Sequence, residues 1–193
     1  MDDTPTRTPA ALAAIMTDSA ALGFAMSCEP RTGALLATLA ASKPGGRILE
    51  LGTGTGAGAA WLLDGMSADA TLISVEIDRE VQSVASLHLS GDSRVRFEIA
   101  DAHTWLCNYL AEPFDLAFVD CRPGKFHDLD RLVGLLRVGG LYVGDDLLPQ
   151  PTWPDDHQQR VDAFLARLPQ VAGLRAVTMA WSSGLVVAAR RLR

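Results

Sequence analysis

The sequence is short of cysteine, of clustered basic residues and of uninterrupted apolar runs, and each shortage excludes something. Its three cysteines, Cys28, Cys107 and Cys121, are odd in number, widely spaced and without a CxxC pair. Neither a disulfide framework nor a zinc site is expected, and a reducing cytoplasm is the natural setting. Seventeen Lys and Arg stand against 23 Asp and Glu, a net charge of -6, so a standing nucleic-acid surface is not expected. The one basic cluster, Arg190, Arg191 and Arg193, reads as a solvated tail. No run of about 18 apolar residues occurs, and no membrane partner is expected. The most apolar early stretch, Ala10 to Met26, is broken by Thr17, Asp18 and Ser19, and Asp2 and Asp3 stand where a secretory leader would be basic. Repeats and low-complexity segments are absent apart from some alanine enrichment.

What is there is an alternation of short apolar runs with helix-length amphipathic ones, over 193 residues that suit a single domain, 1–193. Strands are predicted at "RILEL" (47–51), "TLISVEI" (71–77), "VRFEIA" (95–100), "FDLAFVD" (114–120), "GLYVGD" (140–145), "LRAVTMAW" (174–181) and "GLVVAAR" (184–190). Helix-length segments at about 56–66, 78–89, 102–111 and 125–137 separate the first five, each long enough for a parallel crossover. This is the pattern of a Rossmann-like α/β sheet with helices on both faces. Only Ser182 and Ser183 link the last two strands, so these must be antiparallel neighbours and the sheet should end in a hairpin. Residues 1–44 carry the helical patterns "AALAAIMT" and "RTGALLATLAA", a helical lid ahead of the sheet, with Pro44, Gly45 and Gly46 marking the turn between them.

After the first strand, "ILELGTGTGAG" places glycines at 52, 54, 56 and 58, which lets the backbone approach a ligand. A dinucleotide would set its pyrophosphate there, and a carboxylate at Glu50 would repel it. S-adenosylmethionine carries an ammonium and a sulfonium instead, and Glu50 suits it. Glu76, near the end of the second strand, can accept hydrogen bonds from both ribose hydroxyls. Asp101, followed by Ala102, stands after the third strand, placed to meet an adenine amino group, to cap a helix, or to do both.

The motifs "ILELGTGTG", "VEID", "FDLAFVD" and "GGLYVGDD", in this order and spacing, resemble the small class I S-adenosylmethionine-dependent O-methyltransferases, the group of catechol and caffeoyl-CoA O-methyltransferases. The resemblance covers about residues 26–190, and "DDLLPQPTWP" with "WSSG" resembles a bacterial subgroup. It implies a doubly wound seven-stranded sheet in the order 3-2-1-4-5-7-6 with the seventh strand antiparallel. It also implies that Gly52, Thr53, Gly54, Thr55 and Gly56 hold the methionine part of the cofactor, Glu76 the ribose and Asp101 with Ala102 the adenine. A homodimer and a small hydroxylated acceptor are implied as partners.

The chemistry then belongs outside the ends of the fourth and fifth strands, at Asp120 and at Asp145 with Asp146. By the resemblance these three would bind magnesium, although the family has Asn where Asp146 stands. The alternative places Asp145 and Asp146 in a solvated loop or capping a turn. The family's catalytic lysine lies three residues after the strand-four aspartate, where this chain has Pro123; Lys125 in "DCRPGKF" is the displaced candidate, catalytic if the loop bulges and otherwise a neutraliser of the aspartates. Arg122 is a second cation beside these carboxylates and His127 a spare base. Beyond the fifth strand "LLPQPTWPDDH" reads as a stiff flap over the acceptor, with Trp153 either stacking on substrate or anchoring the flap. Met16, Met26, Phe24 and Trp181 are candidates for the pocket wall or for core. Three other functions remain open: a tRNA wobble-base methyltransferase, which the acidic balance disfavours; a nicotinamide-dependent oxidoreductase, which needs a Tyr-Lys pair that Tyr109 and Tyr142 do not form; and a binding protein that holds the cofactor without turnover.

Overall fold

The computed structural model describes residues 2–150 and 153–192. Helices α1 (Leu12–Ala21) and α2 (Pro30–Ala41) precede β1 (Arg47–Leu51), α3 (Ala57–Gly65), β2 (Thr71–Glu76), α4 (Arg79–Leu89), β3 (Val95–Ile99), α5 (Ala102–Asn108), β4 (Phe114–Val119), α6 (Leu129–Leu135), β5 (Leu136–Gly144), α7 (His157–Arg167), β6 (Leu174–Met179) and β7 (Leu185–Arg190). The strands form one sheet in the order β3-β2-β1-β4-β5-β7-β6. β7 runs antiparallel to both neighbours, as the short Ser182–Ser183 link requires. The expected strand order and reversed strand are both present.

The apolar runs of β1 and β2 are continuous because both faces of the sheet are covered. Ile48, Leu72, Leu116 and Phe118 pack against Ile15, Leu36 and Leu62 from the first three helices. Leu49, Leu51, Val75 and Val119 pack on the other side against Trp105, Leu132 and Phe164. The strand ends are set by local devices: Asp78 caps α4 through the Glu80 and Val81 amides, and Gly56, at φ +98°, opens α3. These two devices hold the β1 and β2 ends at one edge of the cleft.

Three elements depart from the sequence reading. The helix expected over 125–137 is only Leu129–Leu135, because 121–128 folds into a tight turn in which the Gly124 amide donates to the His127 carbonyl at 2.7 Å. Gly124, at φ +82°, makes that turn accessible. β5 begins at Leu136 rather than at 140, with a register shift opposite Phe114 and Leu116. Helix α7 was not anticipated; it buries only His157, Val161 and Phe164, so its apolar stripe is narrow and one member is a histidine. Of the expected flap, Pro151 and Thr152 lie outside the described residues.

Candidate active site

Two cavities open side by side above the ends of β1, β2, β4 and β5. The first, of about 340 Å³, is lined by Glu50, Gly52, Thr53, Gly54, Thr55, Glu76 and Asp120 among others. Gly52 sits at φ +93°, and a Cβ there would come within 2.6 Å of the Asp120 carbonyl oxygen, so the backbone can pass only as glycine. Glu50 is fully buried; one carboxylate oxygen accepts from the Ser74 hydroxyl, and the other has no partner. Burial, opposed by that hydrogen bond and reinforced by Glu76, pushes its carboxyl up to about 8. A buried carboxylate oxygen without a partner is costly, and a ligand ammonium would satisfy it. Beneath the loop, Gln82 donates to Thr53 Oγ1 (3.1 Å), and Thr53 and Ser74 share a hydrogen bond of 2.6 Å, so the glycine turn stands on a buried polar chain ending at Glu50.

Glu76 accepts from the Gly54 amide (2.9 Å) with one oxygen and from the Ile77 amide (2.9 Å) with the other, which aims its carboxylate across the glycine loop. Asp101 and Ala102 do not reach this cavity. Asp101 accepts from the Thr104 amide and hydroxyl, both at 2.8 Å, and caps α5, while Ala102 is core. Asp78 and Val81 at the start of α4 do line it. Gly56 also lies outside the lining; a Cβ on it would meet the Ala85 Cβ at 2.6 Å, so it serves the packing of α3 on α4.

The second cavity, of about 320 Å³, is lined by Lys125, Asp145, Phe126, Trp153, His157 and Ser183 among others. Met26, Ser27, Cys28, Asp120, Cys121 and Asp146 border both cavities and form the wall between them. The lid contributes here through the segment between α1 and α2: Phe24 faces the first cavity only, while Met26 is 68% exposed and therefore not core. Trp181 reaches away from both, donating to Asp3 at 3.0 Å.

The turn at 121–128 carries Lys125 back to the cleft despite its displaced position. Lys125 is 3% exposed and its Nζ donates to the Asp145 carbonyl at 2.7 Å. The Tyr142 hydroxyl, fully buried, holds the turn by donating to the Gly124 carbonyl at 3.1 Å. Desolvation, then Asp145 and Asp146, raises the Asp120 carboxyl well above the usual range, with Lys125 opposing. Burial raises Asp145 to about 6, opposed first by the Ser183 hydroxyl. His127 faces away, 3.7 Å from Asp128, beside His103, which bonds Asp128 at 2.8 Å. Arg122 lines the second cavity and lies 3.8 Å from Asp156.

The residues do not fit the expected magnesium. Among the described residues no group of three or more His, Cys, Asp and Glu side chains is arranged to hold a metal ion. The donor set does not meet the expectation for Asp120, Asp145 and Asp146: one Asp145 oxygen accepts from both the Ser183 hydroxyl and the Asp146 amide, and Lys125 Nζ already bonds the Asp145 carbonyl. Ser74, Gln82, Cys28 and Ser183 are site residues the sequence reading missed. Of these only Ser183, in the quoted "WSSG", stood in a motif that drew attention.

The chain was compared with known proteins. It matches the methyltransferase domain family over residues 49–147, just over half of its length. A protein of Mycolicibacterium vanbaalenii is 35% identical over 120 residues, 60% of this chain and 53% of that protein; one of Mycobacterium marinum is 38% identical over 119 residues, 59% and 53%. Both are named O-methyltransferases provisionally, and the chain spans about half the length of these curated relatives. Among solved structures, the Streptomyces achromogenes O-methyltransferase TomG, involved in tomaymycin synthesis and in complex with SAM, superposes with a TM-score of 0.84 at 24% identity, covering 96% of this chain and 92% of that one. A Bacillus cereus O-methyltransferase in complex with SAH gives 0.85 at 22% identity, covering 98% and 94%. At such identities these two speak for the fold, and the family match speaks for kinship: the chain belongs to the methyltransferase domain family.

Proposed function

We propose that the protein is an S-adenosylmethionine-dependent O-methyltransferase acting on a small hydroxylated molecule. The observation that carries this is the pair of adjoining cavities: one has a glycine loop with two carboxylates suited to a cationic nucleoside, the other a buried lysine and aromatic walls, and they share the wall at Asp120. The names of the mycobacterial relatives and the SAM complex of the Streptomyces enzyme support it.

In this reading Glu50 receives the ligand ammonium and Glu76 the ribose hydroxyls, while Gly52 to Thr55 lie along the methionine part. When bound, S-adenosylmethionine supplies a methyl group on a sulfonium. The lid residues Met26 and Cys28 keep water from the junction of the cavities. Lys125 and Asp120 hold the acceptor hydroxyl at that junction, and Lys125, as the neutral amine, takes its proton as the oxygen attacks in line. No step uses a metal ion. The three free thiols suit a cytoplasmic setting, no helix among the described residues is long and apolar enough to cross a membrane, and the exposed Met16 and Leu22 of the lid suit a second copy of the chain.

Calorimetry tests the donor half: S-adenosylhomocysteine should bind and NAD should not. Mass spectrometry of 3,4-dihydroxybenzoate incubated with enzyme and S-adenosylmethionine tests transfer, and excess EDTA should leave the rate unchanged. Failure of S-adenosylhomocysteine to bind sinks the reading, and loss of turnover on chelation restored by magnesium sinks its metal-free form.

A further inference from the structure

We propose that Ser183, at the turn between β6 and β7, is a positioning residue of the transfer site, fixing the Asp145 carboxylate and through the Asp145 main chain the seat of Lys125. This rests on the methyltransferase reading above. Ser183 is 4% exposed and lines the second cavity, and its hydroxyl donates to Asp145 Oδ1. The same oxygen accepts the Asp146 amide at 2.7 Å, and the Asp145 carbonyl accepts Lys125 Nζ at 2.7 Å. Both ends of Asp145 are therefore engaged: the carboxylate by Ser183, the carbonyl by Lys125. Asp146 stands at φ +60°, in the left-handed region, so the orientation of the Asp145 carbonyl depends on a turn that the carboxylate stabilises by accepting the Asp146 amide.

Two main-chain bonds already hold this turn against the end of β5: the Leu148 amide donates to the Ser183 carbonyl (2.8 Å) and the Leu147 amide to the Gly184 carbonyl (3.0 Å). Gly184, at φ +85°, permits the approach, since a Cβ there would fall 2.5 Å from the Leu148 nitrogen. The hairpin is thus anchored without the Ser183 hydroxyl, and the hydroxyl is left with the one task of orienting Asp145. Its neighbour Ser182 works in the other direction. The Ser182 hydroxyl donates to Glu29 at the start of α2 and accepts from Thr32 at 2.8 Å, so the same turn also grips the lid.

The chain has only two lysines, Lys43 and Lys125, which makes lysine chemistry a direct probe of the seat. Lys43 bonds the Gly139 carbonyl at 3.0 Å, far from either cavity lining, and serves as the internal reference. Acetylation by N-hydroxysuccinimidyl acetate, read by peptide mass mapping, should show the Lys125-to-Lys43 ratio rising about tenfold in Ser183→Ala and staying within about twofold in Ser183→Thr, which keeps the hydroxyl. For 3,4-dihydroxybenzoate, kcat should fall about tenfold in Ser183→Ala with the KM for S-adenosylmethionine within about twofold, and Ser183→Thr should recover most of the rate. An unchanged acetylation ratio in Ser183→Ala overturns the proposal, as does a kcat equal to wild type. Should Ser183→Ala not fold, Ser183→Cys, of nearly the same volume with a weaker donor, must show the same rise in the ratio or the idea falls. Loss of S-adenosylhomocysteine binding in the wild type would sink the functional reading alone, because the acetylation ratio reads the seat of Lys125 without any cofactor.

Discussion

The first cavity takes its carboxylates and glycine backbone from the ends of two adjacent strands and the turn that follows, whereas the second collects Met26, Lys125, Asp145, Trp153 and Ser183 from five separated stretches of chain. In the first, Glu50 pairs in register with Ser74, and the glycine turn ties back to Glu76 through the Gly54 amide. Sheet pairing alone brings these groups together. In the second, no two of the five residues share an element, and their meeting depends on a tight turn, a hairpin and a lid all docking at one place. The first should therefore behave as a preformed site that tolerates change elsewhere, and the second as one whose function is lost through residues that touch no ligand.

The sharpest way to break the contrast is Lys125→Met. It should lower kcat by about 10²-fold or more at neutral pH, with partial recovery as the acceptor hydroxyl ionises at higher pH, while S-adenosylhomocysteine binds as in the wild type. Calorimetry showing a large loss of cofactor affinity in this variant would mean that the two cavities are one energetic unit. On the donor side, Glu76→Ala should weaken S-adenosylhomocysteine by about 2–3 kcal/mol, two charge-assisted hydrogen bonds at the lower end of their range; wild-type affinity would move the ribose elsewhere.

A finer effect concerns protons. With Glu50 raised to about 8, the folded state without ligand binds more protons than the unfolded chain, so the stability this group contributes is present in acid and is lost as pH rises from about 4.5 through 8. Thermal melts across that window should fall more steeply for the wild type than for Glu50→Gln. Binding a ligand ammonium should ionise Glu50, and titrations at pH 7 in buffers of different ionisation enthalpy should report release approaching one proton per S-adenosylhomocysteine. Uptake, or no exchange, would place the ammonium away from Glu50. The smallest effect is expected at Asp101: Asp101→Ala should cost about 1 kcal/mol of stability through the lost α5 cap and leave cofactor affinity within experimental scatter. A tenfold loss of affinity would restore the adenine role implied by the family resemblance.

Much of the donor half was legible because its determinants are local. Glycines at fixed offsets after an apolar strand, a carboxylate before them and another at the end of the next strand are readable without knowing what packs above. Asp101 was ambiguous because a carboxylate after a strand and before a helix can serve a cap as well as a ligand, and the Thr104 contacts show the cap. Helix α7 escaped because its buried stripe is thin and includes His157.

The sequence by itself determined the alternating α/β architecture, the closing hairpin and the glycine-lined turn, since connection lengths, alternation and the steric demands of glycine act over a few residues; the strand order came only with the family resemblance. Only the tertiary structure decided what partners Asp145. Its carbonyl and carboxylate are met by a displaced lysine and a hairpin serine, 20 and 38 residues away along the chain. That is a matter of long-range packing around Gly124, Tyr142 and Gly184, and no spacing along the chain encodes it.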